Sequence, residues 1–312
     1  MKHLIFTFFL FSKVFVFSQN PSWPFEIPEI KPNDTVIVHS AISLLYAEKH
    51  EQAYWVAYQL LGNDTSSGFS RSDRFLIDKR VSTGSATHQD YLKSGYDRGH
   101  LAPAADFSWS EKAMNESFYY SNMSPQVPSF NRGIWKKLET QVRNWADIDS
   151  CLYIITGPLL HDSLKSIGPN AVSVPEFYFK VVLAYGEKSK GIAFIIPNEA
   201  SSANLKEFAI TIDSVQKVTG INFFPKLNLE EQRNLEQQIC VSCWTWTSTV
   251  PLVNNKEKTN EKVDKEVDKE VEKENKNEPL KKSVQCVGIT KAGKQCGNKT
   301  LNSSHRCHLH LK

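Results

Sequence analysis

Four short runs rich in Val, Ile, Tyr and Phe stand out along the chain: Tyr54–Leu61, Leu152–Thr156, Phe177–Tyr185 and Ile192–Ile196. Gly, Pro or Asn bounds each of them, which is the pattern of buried β-strands. Four other stretches carry helical periodicity: Glu111–Tyr120, Gly133–Ala146, Asn204–Val218 and Leu229–Gln238. In the second of these, Ile134, Leu138 and Val142 recur at i, i+4 and i+8, and Trp145 closes the stripe. Such spacing turns one helix face into a core. Strands and helices are mixed without regular βαβ alternation, so the pattern predicts an α+β fold.

The two ends follow different patterns. Lys2 and His3 precede an apolar run, Leu4–Phe11, and Lys13 interrupts it before Val14–Phe17. A spanning helix needs about 20 apolar residues. The shorter run reads as a secretory signal peptide over residues 1–18, with an uncleaved anchor as the alternative. Cleavage predicts a secreted or periplasmic protein with no further membrane contact. Residues 256–282 hold nine lysines and nine acids, with valines alone to form a stripe. No core can form there, so this is a charged linker between the 19–255 domain and a small module at 283–312.

Composition adds little until charge is assigned by segment. The 312 residues are 40% hydrophobic and 23% charged, ordinary for a globular protein, which excludes collagenous, wholly disordered and multi-span membrane classes. The net charge of +3 looks weak for a nucleic-acid partner. It is a cancellation: residues 19–255 carry −4, the linker zero and residues 283–312 carry +5.

The chemistry concentrates in Ser94–Asp106. Asp97-Arg98-Gly99-His100 crowds charged groups against a glycine, with Pro103 close behind. A loop histidine in that setting is a candidate general base, because its unperturbed pKa lies near neutrality. Asn131 precedes the predicted helix, where Asn is a good N-cap. Glu139 lies eight residues on, about 12 Å along a helix. Joint coordination of one ion by both is therefore hard, although a water can bridge them, as Mg2+ prefers.

Three ordered blocks carry a family resemblance: Tyr-Asp-Arg-Gly-His-Leu-Ala-Pro ending at Pro103, Ser-Asn-Met-Ser-Pro-Gln ending at Gln126, and Phe-Asn-Arg-Gly-Ile-Trp-Lys-Lys-Leu-Glu ending at Glu139. Together with Trp55-Val-Ala-Tyr, Asp90-Tyr91 and Thr156-Gly-Pro158, they resemble the DNA/RNA non-specific endonucleases over roughly residues 50–225. The resemblance implies a ββα-metal core with a central mixed or antiparallel sheet flanked by helices. It implies His100 as general base, Asn131 as the sole protein ligand of Mg2+ (Mn2+ being the alternative ion), Glu139 holding water on that ion, and Asn122 supporting the site. An upstream arginine should contact the scissile phosphate; Arg71 fits best and Arg74 is its competitor. Arg98 belongs to the motif with a role that can be purely structural. The expected reaction gives 5′-phosphate ends on DNA and RNA with weak sequence dependence; the oligomeric state is left open, a homodimer being one possible assembly.

His39, His50, His88 and His161 have no matching partners in these blocks and are read as surface or satisfied-core residues. Trp244 and Trp246 are read as closing the core rather than stacking bases. Cys240 and Cys243 form a C-x-x-C, and one disulfide among Cys151, Cys240 and Cys243 is expected, with its pairing open. In the module, Cys286, Cys296, Cys307 and His310 give C-x9-C-x10-C-x2-H, with His308 as a competing ligand. Three thiolates and an imidazole make a closed tetrahedral Zn2+ site, which would let about 30 residues fold. Its basic charge suggests that it docks on nucleic acid. Two other readings stand beside the secreted nuclease: a non-catalytic nucleic-acid-binding protein on the same fold, which the complete residue set argues against, and an effector or toxin nuclease.

Overall fold

The computed structural model describes residues 23–62, 64 and 68–247, and two short strands further on, 284–285 and 299–300. The chain divides into two compact units, Met1–Thr249 and Val250–Lys312. In the second unit the described residues are a strand pair that sets Val284 against Thr300 and Gln285 against Lys299. Residues 1–18 and 256–282, and the four expected zinc ligands, lie outside the described residues. Among the described residues, no helix is long and apolar enough to cross a membrane.

Seven strands form the central sheet of the first unit. They are β1 (Val36–Val38), β2 (Ser43–Ala47), β3 (Gln52–Leu61), β6 (Cys151–Pro158), β9 (Phe177–Ala184), β10 (Lys190–Pro197) and β11 (Ala209–Ile210), in the spatial order β1-β2-β3-β6-β9-β10-β11. Every neighbouring pair is antiparallel. The four strands expected from the sequence are its four central members. Two more pairs lie outside it: β4 (Asp97–His100) with β5 (Met123–Gln126), and β7 (Ser166–Ile167) with β8 (Val172–Ser173).

The sheet is covered on both faces, and the period-2 alternation of β9 shows how. Tyr178, Val182 and Ala184 enter one apolar cluster, while Phe179, Val181 and Leu183 enter the other. The first cluster receives the helix α4 (Lys136–Asp149), whose Leu138, Val142 and Trp145 are fully buried with Ile134 just before it. The second receives Ile212 and Val215 of α5 (Ile212–Thr219) and Leu235 of α6 (Leu229–Leu235). Trp244 is buried in the first cluster and Trp246 packs on it, as expected. The Thr245 carbonyl accepts hydrogen bonds from Trp145 Nε1 (2.6 Å) and Gln141 Nε2 (3.0 Å), so this last segment is strapped onto α4.

Three local expectations are corrected. The run 204–218 is not one helix: Asn204 caps a 3-10 turn at Leu205–Phe208, the chain extends as β11 against β10, and Thr211 caps α5 afresh. Edge pairing with a remote strand outweighs local periodicity here. Of the helix expected over Glu111–Tyr120, only α2 (Glu111–Glu116) forms, started by Ser110 accepting from the Ala113 amide. The helix expected from Gly133 begins earlier, at α3 (Pro128–Phe130), and passes through a wider π-helical turn, Asn131–Trp135, into α4. Proline opens it, as suits a first helical position. Asn131 is therefore inside the helical run and is not its N-cap. Cys240 and Cys243 form a disulfide, and among the described residues Cys151 is left as a free thiol.

Candidate active site

Strands β4 and β5 and the helical run from Pro128 make a compact ββα unit. Register places His100 opposite Met123 and Gly99 opposite Ser124. Gly99 is required by close approach, because a Cβ there would sit 2.2 Å from the side chain of buried Gln126. Asn122 locks the turn after β4. Its Oδ1 accepts from the Ala102 amide (2.9 Å), and its Nδ2 donates to the carbonyls of Ala102 (2.9 Å) and Ser117 (2.7 Å). Both amide hydrogens and one oxygen lone pair are spent on backbone, so it fixes where the chain goes immediately after His100.

His100 is 8% exposed at the end of β4. Phe118 packs edge-on against its ring at 4.8 Å between centroids, and Phe75 lies at 5.9 Å. Its Nε2 is buried without a hydrogen-bond partner among the described residues. Burial, reinforced by the positive charges of Arg71 and Arg98, pushes its pKa down to about 3. The imidazole is therefore neutral across the physiological range, which is the protonation state a proton acceptor needs.

A cleft of about 400 Å³ opens beside it, lined by Arg71, Phe75, Asp97, Arg98, Asn131 and Arg132, and extends to Tyr91, Lys93 and Tyr96. Arg71 lies 4.9 Å from the centroid of Phe118 and pairs with Asp73. Arg98 stacks on Phe75 at 3.9 Å. The competing Arg74 is exposed and is not among the lining residues. Asn131 Nδ2 donates to Asp97 Oδ2 at 2.8 Å. Arg132 grips the same carboxylate with two bonds, 2.6 and 2.9 Å. Burial works against ionisation of Asp97, but the bonds from Arg132 and Asn131 outweigh it and hold the carboxyl below its usual range. The amide nitrogen of Asn131 is committed to Asp97, which fixes the direction in which its Oδ1 points.

Glu139 sits one step back, among charged groups packed into the sheet face. Asp106 accepts from Arg143 Nη1 (2.9 Å) and from the Tyr58 hydroxyl (2.8 Å). Lys180, 1% exposed, occupies a core-facing position of β9 with its Nζ 5.0 Å from the Trp135 ring centroid and 3.5 Å from the Leu101 carbonyl. Burial raises the Glu139 carboxyl above the usual range, opposed chiefly by Lys180, while Asp106 pushes it higher. Burial lowers the Lys180 ammonium, opposed by Glu139 and Asp106. Buried Asp106 and Lys180 and half-buried Glu139 and Arg143 thus set two acids against two bases, with Arg143 and Asp106 in direct contact. Lys180→Met leaves two acids facing one arginine and is expected to cost about 3–5 kcal/mol of stability. Urea unfolding measures this, and an unchanged midpoint contradicts it.

The structure therefore gathers Arg71, Asn131 and the motif residues Asp97 and Arg98 on one cleft, while His100 is not itself a lining residue and lies behind Phe75, which is one. It places Glu139 and Asn122 behind them. Sequence patterns pointed to neither the Asp97–Arg132 pair nor Lys180, Asp106 and Arg143, since each lies far along the chain from its partner. Among the histidines set aside, His39 is buried and bonds Asp78 (2.9 Å), and His50 is buried against Ser173 (2.8 Å). His88 is a surface residue, and it lines the cleft. Among the described residues, no group of three or more His, Cys, Asp or Glu side chains is arranged to hold a metal ion.

Residues 26–230 match the family model described as DNA/RNA non-specific endonuclease. The chain is 34% identical over 205 residues to mitochondrial endonuclease G of Bos taurus, covering 59% of this chain and 67% of that protein. It is 32% identical over 229 residues to mitochondrial nuclease EXOG of Danio rerio, covering 68% and 66%. Among solved structures, EndoG from the EndoG/EndoGI complex superposes with a TM-score of 0.61 at 31% identity, over 65% of this chain and 89% of that one. A mitochondrial nuclease of Saccharomyces cerevisiae also matches, at 30% identity over 223 residues. These mitochondrial relatives overturn the expectation of a secreted or periplasmic protein drawn from the first 18 residues. The antiparallel sheet and the ββα unit agree with the fold expected of such an enzyme.

Proposed function

This chain belongs to the DNA/RNA non-specific endonuclease family, and from that premise we propose that it hydrolyses phosphodiester bonds with His100 as general base and a divalent cation, Mg2+, held by Asn131. Metal-dependent DNA/RNA endonuclease is the family's activity. The observation that carries the residue assignment is the buried, unpartnered Nε2 of a His100 kept neutral by burial and by the charges of Arg71 and Arg98.

The residues present fit a hard cation with few protein ligands. Asn131 Oδ1 is a neutral oxygen donor oriented by Asp97, and an ion that keeps most of its waters needs little more. When bound, such an ion neutralises phosphate charge and acidifies water. The chain's own residues do the rest. His100 takes the proton of the attacking water. Arg71 donates charge-assisted hydrogen bonds to the phosphate. Asp97 orients Asn131, Asn122 holds the turn behind His100, and Glu139 keeps water ordered near the site. Water's oxygen bonds to phosphorus as the bond to the 3′-oxygen breaks; that oxygen leaves as a 3′-hydroxyl, taking its proton from solvent water, and the other product carries a 5′-phosphate. None of these contacts reads a base edge, so cleavage depends weakly on sequence.

The arginines give this reading a pH signature. Two guanidiniums disfavour protonation of His100 in the free enzyme, and a bound phosphate offsets their charge. The His100 pKa is therefore higher in the substrate complex than in the free enzyme. Activity lost as His100 protonates falls at higher pH in kcat than in kcat/KM. The reverse order of the two acid limbs contradicts the assignment.

The basic segment 283–312 supports a docking role beside a catalytic domain of net charge −4. Removing residues 256–312 is expected to raise KM for long DNA, flatten its salt dependence and leave kcat nearly unchanged. Equal KM with and without the segment contradicts this. The activity itself is tested by incubating plasmid DNA and RNA with the protein in Mg2+ or EDTA. Degradation of both polymers in Mg2+ and protection in EDTA are expected. Intact substrates under several divalent ions contradict the function.

A further inference from the structure

The cleft is larger than one phosphate needs. Its volume, about 400 Å³, falls in the roughly 300–1,000 Å³ range of sites that enclose a small molecule. One end holds the groups assigned above to the scissile phosphate. The other end is built by the short helix α1 (His88–Tyr91) and the turn that follows, and the catalytic reading gives that end no task.

Charge bookkeeping separates the two ends. Asp73 is paired with Arg71, and Asp97 is paired with Arg132. Both acids of the cleft are thus neutralised by arginines already in it. Among the described residues, Lys93 and Arg98 are the lining cations without an acidic partner, and Arg98 lies against Phe75. Lys93 is exposed and sits in the left-handed region at φ 56°. The far end is otherwise aromatic and apolar, with half-buried Tyr96 and exposed Leu92 on its lining. Tyr91, 6% exposed, also lines it, and its hydroxyl is buried without a hydrogen-bond partner among the described residues. An unpaired cation and a partly exposed aromatic ring lining one cleft are the chemistry that binds a phosphate and stacks a base without reading sequence.

We propose that this end of the cleft is a second nucleotide subsite, in which Lys93 binds the phosphate next to the scissile one and Tyr96 presents a face to the adjoining base. The inference rests on the nuclease reading and adds what that reading lacks: the enzyme grips more than one nucleotide of a single strand. Substrates shorter than the two subsites lose this contact, and every sequence makes it equally.

The test is equilibrium binding of fluorescently labelled single-stranded oligonucleotides to the full chain in EDTA. A dinucleotide with one phosphodiester is compared with a hexanucleotide. Lys93→Ala is expected to weaken hexanucleotide binding about fivefold to tenfold and to lower its log–log salt slope by about 0.7, with Lys93→Arg restoring both. Tyr96→Ala is expected to weaken it by a similar factor, with Tyr96→Phe restoring it. The losses are confined to the longer strand. Equal losses on both lengths, unchanged hexanucleotide binding in Lys93→Ala, or no binding by the unsubstituted protein overturns the subsite. Failure of the nuclease reading looks different: the protein binds the hexanucleotide with this length dependence yet does not cleave it when Mg2+ is added.

Discussion

Replacing His100 by alanine is expected to lower kcat for DNA and RNA cleavage by about 10²–10⁴-fold, the range for loss of a positioned general base. KM should change little, because the phosphate contacts assigned to Arg71 remain. The fold should survive. The imidazole Nε2 has no partner to leave stranded, and the turn after it is held by Asn122 rather than by His100. Circular dichroism and the unfolding midpoint therefore separate chemistry from collapse. A His100→Ala protein that folds and cleaves at the original rate removes the general base from the account.

The second large effect belongs to Asn131. Asn131→Ala removes the oxygen assigned to the cation together with the donor to Asp97, and activity at a fixed, limiting Mg2+ concentration is expected to fall by about 10²-fold or more. Loss of an outer partner of a metal ligand typically costs 10–100-fold, and loss of the ligand costs at least that. Asn131→Asp is a sharper variant. It keeps an oxygen ligand, and a carboxylate is ordinarily the better donor for a hard cation. Yet Asn131 donates to Asp97 at 2.8 Å, so the new carboxylate faces Asp97 with a lone pair where a proton had been. Like charges at that distance repel strongly, and Asn131→Asp is expected to stay impaired. Titration of rate against Mg2+ reads both variants. Unchanged Mg2+ dependence in Asn131→Ala places the ion elsewhere.

The sequence made the central architecture visible where burial is continuous. All four expected strands lie in the middle of the sheet, because a strand buried on both faces shows as an apolar run whatever its partners are. The α4 stripe was visible for the same reason, with Leu138, Val142 and Trp145 on one face. Strands β4 and β5 were not, since Asp-Arg-Gly-His and Met-Ser-Pro-Gln carry no alternation. Their strand geometry comes from pairing with each other and from Gly99 yielding to Gln126. For the site, motif order identified His100, Asn131, Glu139 and Asn122. What it left out is three-dimensional charge pairing: Arg132 on Asp97, and Lys180 among Glu139, Asp106 and Arg143. Lys180 stands in a run of Phe, Tyr and Val that reads as plain core, and the acids facing it lie 41 and 74 positions earlier. The choice of Arg71 over Arg74 likewise follows from which side chain reaches the cleft.

The central claim is that His100 and Asn131 belong to one catalytic unit at the ββα element. Residues that act as a unit lose their effects together rather than in sequence. The direct measurement is single-turnover cleavage of one DNA duplex in saturating Mg2+ by the unsubstituted protein, His100→Ala, Asn131→Ala and the double variant. The account predicts that the double variant is about as slow as the slower single variant. Losses that multiply, or a single variant that cleaves at the original rate, would contradict it.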